Sequence, residues 1–240
     1  MSTAVILAGG DAHRFSPETP AALQWLAGEP VLSHVLRLFR DFNVGRTIVV
    51  ANLPKIKEIL PPSVEFVLQA DDYGSGDALR CAQPFLGEEA GDVFVAYANR
   101  PLFQPATLKA LVQQRRQTAA AGAIASVVLQ QPCGHARVMR GSDGVLLRAR
   151  RDCEASPDEC KIKEVVAGLY CFEARPLLDA LTRLAQDAPS YLFLNHVATD
   201  IAERQRVTVL PLADPEEALG IYSDNDLRAA EAFKSKFMVR

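Results

Sequence analysis

Several features that define whole classes of proteins are missing from this sequence. It contains no run of about 18 apolar residues, so no transmembrane helix is expected. Its first residues lack the basic segment and the long apolar stretch of a secretory signal, which favours a cytoplasmic protein. The net charge of -3 shows no positive excess, which argues against nucleic acid or a membrane surface as a partner.

Cysteine is present, but not in an arrangement that builds structure. The five cysteines are odd in number and scattered, whereas a disulfide framework uses an even, ordered set. Cys153 and Cys160 have no second pair or matching histidines nearby, which argues against a zinc site. The basic cluster of Arg148, Arg150 and Arg151 is expected to be a solvated surface near a turn.

What the chain does have is an alternation of apolar runs and amphipathic segments. Runs such as TAVILA, TIVVAN and DVFVAYA are typical of buried parallel strands, and PVLSHVLRLFRDF carries apolar residues at helical spacing. Strands that alternate with helices indicate crossover units. We predict a single α/β domain over residues 1–240, with a doubly wound, mostly parallel sheet and a small β-rich insertion at residues 132–152.

The first predicted strand ends in two glycines, Gly9 and Gly10, and Arg14 follows them. Glycines at the carboxyl end of a parallel strand allow a ligand to approach backbone amides closely. The forked guanidinium of Arg14 suits phosphate oxygens. A tight turn with a surface arginine would show the same short pattern, so this loop alone leaves both interpretations open.

Three further loops follow strand-like runs and are expected at the same edge of the sheet. VLQADDYGSGDAL contains Gln69, whose amide suits a base edge, and Gly74, which allows the turn to pass close to a planar ring. YANRPL contains Asn99, and KEVVAGLY contains Glu164 and Gly168. Four loops at one edge are more informative together than any one of them.

In this order, the four segments resemble the sugar-1-phosphate nucleotidyltransferases, and most of all the uridyltransferase domain that makes UDP-N-acetylglucosamine. LAGGDAHRFSPETPAALQWLAGEP is similar to that family's opening LAAGxGTRMxxxxPKxLxxLAGxP, and VLQADDYGSGDALRCAQPFL is similar to VLQxxxLGTGHAxxxAxPF. The resemblance covers nearly the whole chain. It stops before the left-handed β-helix acetyltransferase domain of the bifunctional members, which we expect to be absent.

The resemblance implies a Rossmann-like nucleotide-diphospho-sugar transferase fold and a uridine nucleotide or nucleotide sugar as ligand. The residues that it implies for nucleotide binding are Leu7, Ala8, Gly9, Gly10, Gln69 and Gly74. On the sugar side it implies Glu164 and Gly168.

Three departures from the family pattern affect groups that handle charge. Ala21 stands where the family has a phosphate-binding lysine, Asn99 where it has a metal-binding aspartate, and Tyr222 where it has a metal-binding asparagine. Mg²⁺ and fixed cations offset the charge when two polyanions react, and such electrostatic stabilisation is usually the largest catalytic contribution. We therefore predict a binding or regulatory module with lost or attenuated catalysis and no cofactor, in which Arg14 is the remaining candidate catalytic cation.

Two alternatives stay open. One is an active sugar-1-phosphate nucleotidyltransferase that uses an NTP and Mg²⁺ with atypical groups, the candidates being Asp11, Asp71 and Asp72 as carboxylates and Arg14 or Arg100 as cations. The other is a scaffold whose apolar surface, around Trp25 and Phe39 for instance, binds a protein partner or a second copy of the chain.

Overall fold

Strands and helices alternate along the chain, as the hydrophobic pattern predicts. The computed structural model describes residues 2–9, 15, 19–71, 73–87, 91–186 and 191–238. In these residues the strands are β1 (Thr3–Leu7), β2 (Trp25–Leu26), β3 (Glu29–Pro30), β4 (Arg46–Ala51), β5 (Val64–Leu68), β6 (Asp92–Tyr97), β7 (Gly122–Val128), β8 (Arg137–Arg140), β9 (Leu146–Arg150), β10 (Glu164–Glu173) and β11 (Val207–Pro211). The α-helices are α1 (Val31–Asp41), α2 (Ser75–Ala82), α3 (Pro105–Gln117), α4 (Ala174–Gln186), α5 (Leu194–Ala202) and α6 (Asp224–Met238).

The described strands form a main sheet of nine, whose central order is β11-β7-β10-β6-β1-β4-β5. β1 pairs in parallel with β4 and β6, while β10 runs antiparallel to β6 and β7. The chain goes from β1 to β4 and β5 on one side, and then crosses to β6 on the other. The carboxyl end of β1 is therefore the point at which connections diverge, where such sheets bind ligands. The prediction of a doubly wound, mostly parallel sheet is confirmed.

Alternate side chains of β1 enter two different cores. Val5 and Leu7 pack in a cluster with residues of α2, α4 and α5, whereas Ala4 and Ile6 pack in a cluster with residues of α1 and α3. A strand covered on both faces needs an unbroken apolar run, which is why TAVIL shows no polar alternation after its first residue.

A third, smaller cluster fixes the last helix near the carboxyl edge of the sheet. It joins Leu26 of β2, Leu102 after β6, Ile221, and Phe233 of α6. This packing places Ile221 and Tyr222 beside the loop that follows β6. No helix within the described ranges has the length and apolar character needed to cross a membrane.

The predicted β-rich insertion is an antiparallel hairpin of β8 and β9, attached to β10 by the pairing of Val165 with Arg137. The segment Pro54–Ile59 is a 3₁₀ helix that begins at a proline. α2 ends at Ala82, because Pro84 lacks the amide that would continue it. The periodic pattern of the sequence does not indicate α5 or the β2–β3 hairpin.

Candidate functional site

The carboxyl ends of β1 and β6 open into two adjoining cavities. The large cavity, about 460 Å³, is lined by residues that include Gly9, Gln69, Tyr97, Arg100, Gly168 and Phe193. The small cavity, about 190 Å³, is lined by residues that include Phe15, Ala21, Ala22, Asn99, Ile221 and Tyr222. Leu7, Gly9, Tyr97 and Tyr222 line both cavities.

Gln69 forms part of the wall of the large cavity and is only 2% exposed. Its Nε2 donates hydrogen bonds to Oδ2 of Asp77 at 3.1 Å and to the carbonyl oxygen of Gly74 at 3.4 Å. A Cβ at Gly9 would lie 2.9 Å from Oε1 of Gln69. A larger residue at position 9 would therefore displace the Gln69 amide from the place where Asp77 and Gly74 hold it.

Gly74 begins the turn into α2 with a φ of +100°. A Cβ at this position would lie 2.5 Å from the carbonyl oxygen of Leu192. The same oxygen accepts hydrogen bonds from the amides of Gly76 and Asp77, at 2.9 and 3.2 Å. These contacts hold the start of α2 against the segment that precedes α5, and so place Phe193 in the wall of the large cavity.

Two phenols, the buried Tyr170 and the partly buried Tyr97, line the large cavity beside the sheet. Tyr97 donates a hydrogen bond to Oγ of Ser75 at 3.1 Å, and the amide of Leu194 donates to the same oxygen at 3.1 Å. Burial raises the pKa of Tyr97, and burial together with the adjacent Tyr97 raises the pKa of Tyr170 further. Both phenols are therefore neutral near pH 7 and act as hydrogen-bonding wall groups, not as bases.

Arg100 lies over Gly168 in the large cavity and is only 5% exposed. Its Nη1 donates a hydrogen bond to the carbonyl oxygen of Ala218, whereas its buried Nε has no partner among the described residues. A Cβ at Gly168 would lie 2.7 Å from this Nε. Gly168 has a φ of +91° and sits where the pairing of β10 with β7 is irregular, so the strand is locally reshaped around the arginine.

Two more basic side chains line the large cavity. The guanidinium carbon of Arg151 lies 3.5 Å from the centre of the Phe193 ring, and Nε of Arg151 is 3.0 Å from Oε1 of Glu154. Burial, with the nearby charge of Arg100 adding to it, lowers the pKa of His135. His135 is therefore neutral near pH 7, and Arg151 already has a carboxylate partner.

The small cavity brings together Ala21, Asn99 and Tyr222, the three positions at which the resemblance implies charge-handling groups that this sequence lacks. The amide of Ile221 donates to the carbonyl oxygen of Asn99 at 2.8 Å, and Nδ2 of Asn99 donates to the carbonyl oxygen of Ile221 at 3.3 Å. Ala21 and Tyr222 complete the wall. None of the residues that line this cavity in the described part of the chain carries a charge.

The described residues of the small cavity do not fit Mg²⁺, which prefers carboxylate oxygens. Asn99 offers a neutral amide, and nowhere in the described ranges do three or more His, Cys, Asp or Glu side chains form a metal-binding group. Asp71 is exposed and lines neither cavity. Asp11 and Asp72, the other candidate carboxylates, lie outside the described residues.

The structure brings most of the expected nucleotide-binding residues to the two cavities. Leu7, Gly9, Gln69 and Gly74 line the large cavity, and Ala8 lines the small one. Gly10 and Arg14 lie outside the described residues.

The two residues expected on the sugar side are separated from each other. Gly168 lines the large cavity, but Glu164 lines neither cavity. The carboxylate of Glu164 accepts hydrogen bonds from Nε of Arg140 at 2.8 Å and from Oγ of Ser126 at 2.5 Å. Although burial opposes the shift, these bonds lower the pKa of Glu164 and hold its charge in an ion pair.

The sequence analysis missed Arg151 and Phe193 as cavity residues. Arg148 and Arg150 are exposed, as expected, but Arg151 turns inward onto the Phe193 ring. The expectation of a wholly solvated cluster was therefore wrong for Arg151. Arg151 comes directly after the end of β9, and no local sequence pattern distinguishes it from its two exposed neighbours.

Comparisons with known proteins agree with this architecture. Residues 4–196 match the MobA-like NTP transferase domain family. The bifunctional protein GlmU of Geobacter metallireducens is 32% identical over 236 residues, which are 96% of this chain and 50% of that protein. GlmU of Exiguobacterium sibiricum is 30% identical over 237 residues, which are 97% of this chain and 53% of that protein. The chain thus spans about half the length of the curated relatives it matches.

A solved structure shows the same fold. A candidate glucose-1-phosphate thymidylyltransferase from Bacillus anthracis, in complex with sucrose, superposes with a TM-score of 0.78 at 15% identity. The match covers 97% of this chain and 94% of the other. The expected Rossmann-like nucleotide-diphospho-sugar transferase fold is confirmed.

Proposed function

Because the chain belongs to the MobA-like NTP transferase domain family, we propose that its large cavity binds a uridine nucleotide or nucleotide sugar without efficient nucleotidyl transfer. The protein acts as a binding or regulatory module built on an enzyme fold. The choice of uridine rests on the resemblance of the Gln69 segment to the uridyltransferases and on the GlmU relatives.

One observation carries the proposed loss of catalysis. Ala21, Asn99 and Tyr222 meet at one small cavity, and no lining residue in the described part of the chain bears a charge there. Attack of a sugar phosphate on a nucleoside triphosphate brings two polyanions together, and each missing electrostatic contact costs about 10²–10³ in rate. Loss of a cation and two metal ligands removes most of the acceleration such a site provides.

Retained binding is supported by the large cavity. Its volume of about 460 Å³ lies within the range of small-molecule sites, which is about 300–1,000 Å³. Hydrogen bonds from Gln69 to Asp77, and from the amides of Gly76 and Asp77 to the carbonyl of Leu192, hold the wall in place without a ligand. A preformed wall lowers the ordering cost of binding.

The experiment is a calorimetric titration of UTP, UDP and UDP-N-acetylglucosamine, with and without Mg²⁺, with CTP and GTP as comparison ligands. We expect uridine nucleotides to bind without Mg²⁺, and pyrophosphate release from UTP and a sugar 1-phosphate to stay at background. No binding of any uridine compound would contradict the binding role. Rapid Mg²⁺-dependent pyrophosphate release would contradict the loss of catalysis and favour the active alternative, with Asp11 or Asp72 as metal ligand.

A gain of function tests the same assignment from the other direction. The triple variant Ala21→Lys, Asn99→Asp and Tyr222→Asn restores the three charge-handling groups that the family resemblance implies. We expect Mg²⁺-dependent pyrophosphate release to increase by about 10² or more. An increase below about tenfold in a folded triple variant would contradict the assignment of the loss to these three positions.

A further inference from the structure

Building on the proposed function, we infer that the large cavity selects a nucleotide sugar whose sugar carries its own anionic group, and that Arg100 binds this group. The anionic group meant here is additional to the phosphates that join the sugar to the nucleoside. A sugar carboxylate and a phosphate ester on the sugar ring share this chemistry.

The described residues leave the charge of Arg100 unbalanced. Arg100 is almost fully buried, its Nη1 is bonded to a neutral carbonyl, and its Nε has no partner among the described residues. No carboxylate in the described part of the chain forms an ion pair with it. Burying an unpaired charge is expensive, so a buried arginine without an acidic partner fits a cation that awaits an external anion.

The other lining residues do not cancel this charge. Arg151 is neutralised by Glu154, and the lowered pKa of His135 keeps that imidazole neutral. Among the described residues that line the large cavity there is no aspartate or glutamate. The lining therefore presents a net positive charge, which Arg100 supplies.

The protein also reshapes its backbone to hold Arg100 in this place. Gly168 adopts a left-handed φ of +91°, and a Cβ there would collide with both Nε of Arg100 and the ring of Tyr97. The carbonyl of Ala218 fixes the far end of the guanidinium. A solvent-exposed arginine would need none of these features. The backbone here is therefore shaped to hold the guanidinium of Arg100 inside the cavity wall.

The position of Arg100 indicates which part of the ligand it meets. It follows Asn99, on the loop between the two cavities, and lies directly on Gly168, the residue that the resemblance places on the sugar side. The base-side residues Gln69 and Gly74 line the same cavity. The sugar, rather than the base, is therefore the part of the ligand expected nearest to Arg100. The forked N–H donors of the guanidinium suit a carboxylate or phosphate on that sugar.

The test compares ligands that differ in one charged group. UDP-glucuronic acid and UDP-glucose are titrated into the wild-type protein and into Arg100→Gln and Arg100→Lys variants. In a second arm, glucose 6-phosphate and glucose are titrated into protein saturated with UMP, which distinguishes a phosphate ester from a carboxylate. Arg228→Gln, an exposed position on α6, is the control for a lost positive charge.

We expect the acidic ligand to bind about 10- to 100-fold more tightly than the neutral one in at least one arm, as a charge-assisted contact allows. Arg100→Gln should abolish this preference, Arg100→Lys should keep part of it, and Arg228→Gln should keep all of it. UDP itself should bind the wild type and the control Arg228→Gln within about threefold.

Three outcomes overturn the inference. They are equal binding of acidic and neutral ligands in both arms, a preference that persists in Arg100→Gln whether or not that variant loses thermal stability, and a preference that is lost to the same extent in Arg228→Gln. Each leaves the proposed function intact as long as UDP binds. If no uridine nucleotide binds the wild-type protein, the proposed function fails, and this inference fails with it.

Discussion

Asn99 and Ile221 are joined by two hydrogen bonds, one from the amide of Ile221 to the carbonyl oxygen of Asn99 and one from Nδ2 of Asn99 to the carbonyl oxygen of Ile221. The Asn99 side chain, for which the family resemblance implies a metal-binding carboxylate, therefore serves as a structural donor. This reciprocal contact ties the segment before α6 to the end of β6.

Asn99→Asp should be less stable than the wild type without metal. The change removes the donor and places a carboxylate against the carbonyl of Ile221, at a cost of about 1–3 kcal/mol. Mg²⁺ should recover part of this loss, because a carboxylate suits the ion. Denaturant unfolding with and without Mg²⁺ measures both effects. Gln113→Glu, exposed on α3, makes the same charge change, and equal Mg²⁺ responses of the two variants would contradict the prediction.

Gly168→Ala should destabilise the fold more than an alanine at another left-handed glycine. Gly168 and Gly144 both have positive φ, but a Cβ at Gly144 would meet nothing within 4 Å, whereas at Gly168 it would meet Arg100 and Tyr97. We expect about 1 kcal/mol for Gly144→Ala and about 2–4 kcal/mol for Gly168→Ala, measured by urea unfolding. Equal losses of stability in the two variants would contradict the prediction, because they would mean that Arg100 moves away from the added methyl group at little cost.

Stability should fall below about pH 6.5, with His34 as one cause. Burial lowers the pKa of His34 below 6.5, against the opposing effect of its 2.8 Å hydrogen bond to the carbonyl of Leu26. The unfolded chain then binds the proton more readily, so the free energy of unfolding decreases as the pH falls from 6.5 towards the folded-state pKa. His34→Gln should show a smaller decrease between pH 7.5 and 5.5, and a profile parallel to that of the wild type would refute this role.

Asp92→Asn should lower the stability of the fold strongly, because Asp92 is a buried carboxylate in the central sheet. Asp92 is 3% exposed and accepts hydrogen bonds from Nε of Arg115 at 2.7 Å and from Nε of Arg116 at 3.0 Å. Removing its charge leaves the mostly buried Arg115 poorly compensated, at a cost of about 3 kcal/mol. Asp158→Asn removes an exposed partner of Lys161 and should change thermal stability little, because water screens that pair. Similar shifts in melting temperature would count against the prediction.

The periodic elements could be predicted from sequence because they depend on local alternation. The apolar run at β1 and the helical spacing in α1 each specify a structure without reference to distant residues. In α5, by contrast, Asn195, His196 and Asp200 interrupt the apolar pattern, although the first two are bonded to Glu154 and the third to Arg183. Those partners are distant in sequence, so the pattern alone did not reveal the helix.

The candidate site was predictable in its location but not in its charge. Strand ends of a doubly wound sheet identify the loops, and those loops do meet at the two cavities. The burial of Arg100 depends on the irregular backbone of β10 at Gly168. Gly168 is distant from Arg100 in sequence, so the residues around Arg100 do not indicate that it is buried. Likewise, the amide of Gln69 is held by Asp77, a pairing that only the turn at Gly74 makes possible.

The common wall of Leu7, Gly9, Tyr97 and Tyr222 has a consequence for how occupancy would be communicated. A molecule bound in the large cavity would contact residues that also enclose the small cavity. If the protein catalyses no transfer, as we propose, a ligand bound in the large cavity leaves unchanged. The fraction of protein with an occupied cavity then depends on the concentration of that ligand and not on the rate at which the ligand is made.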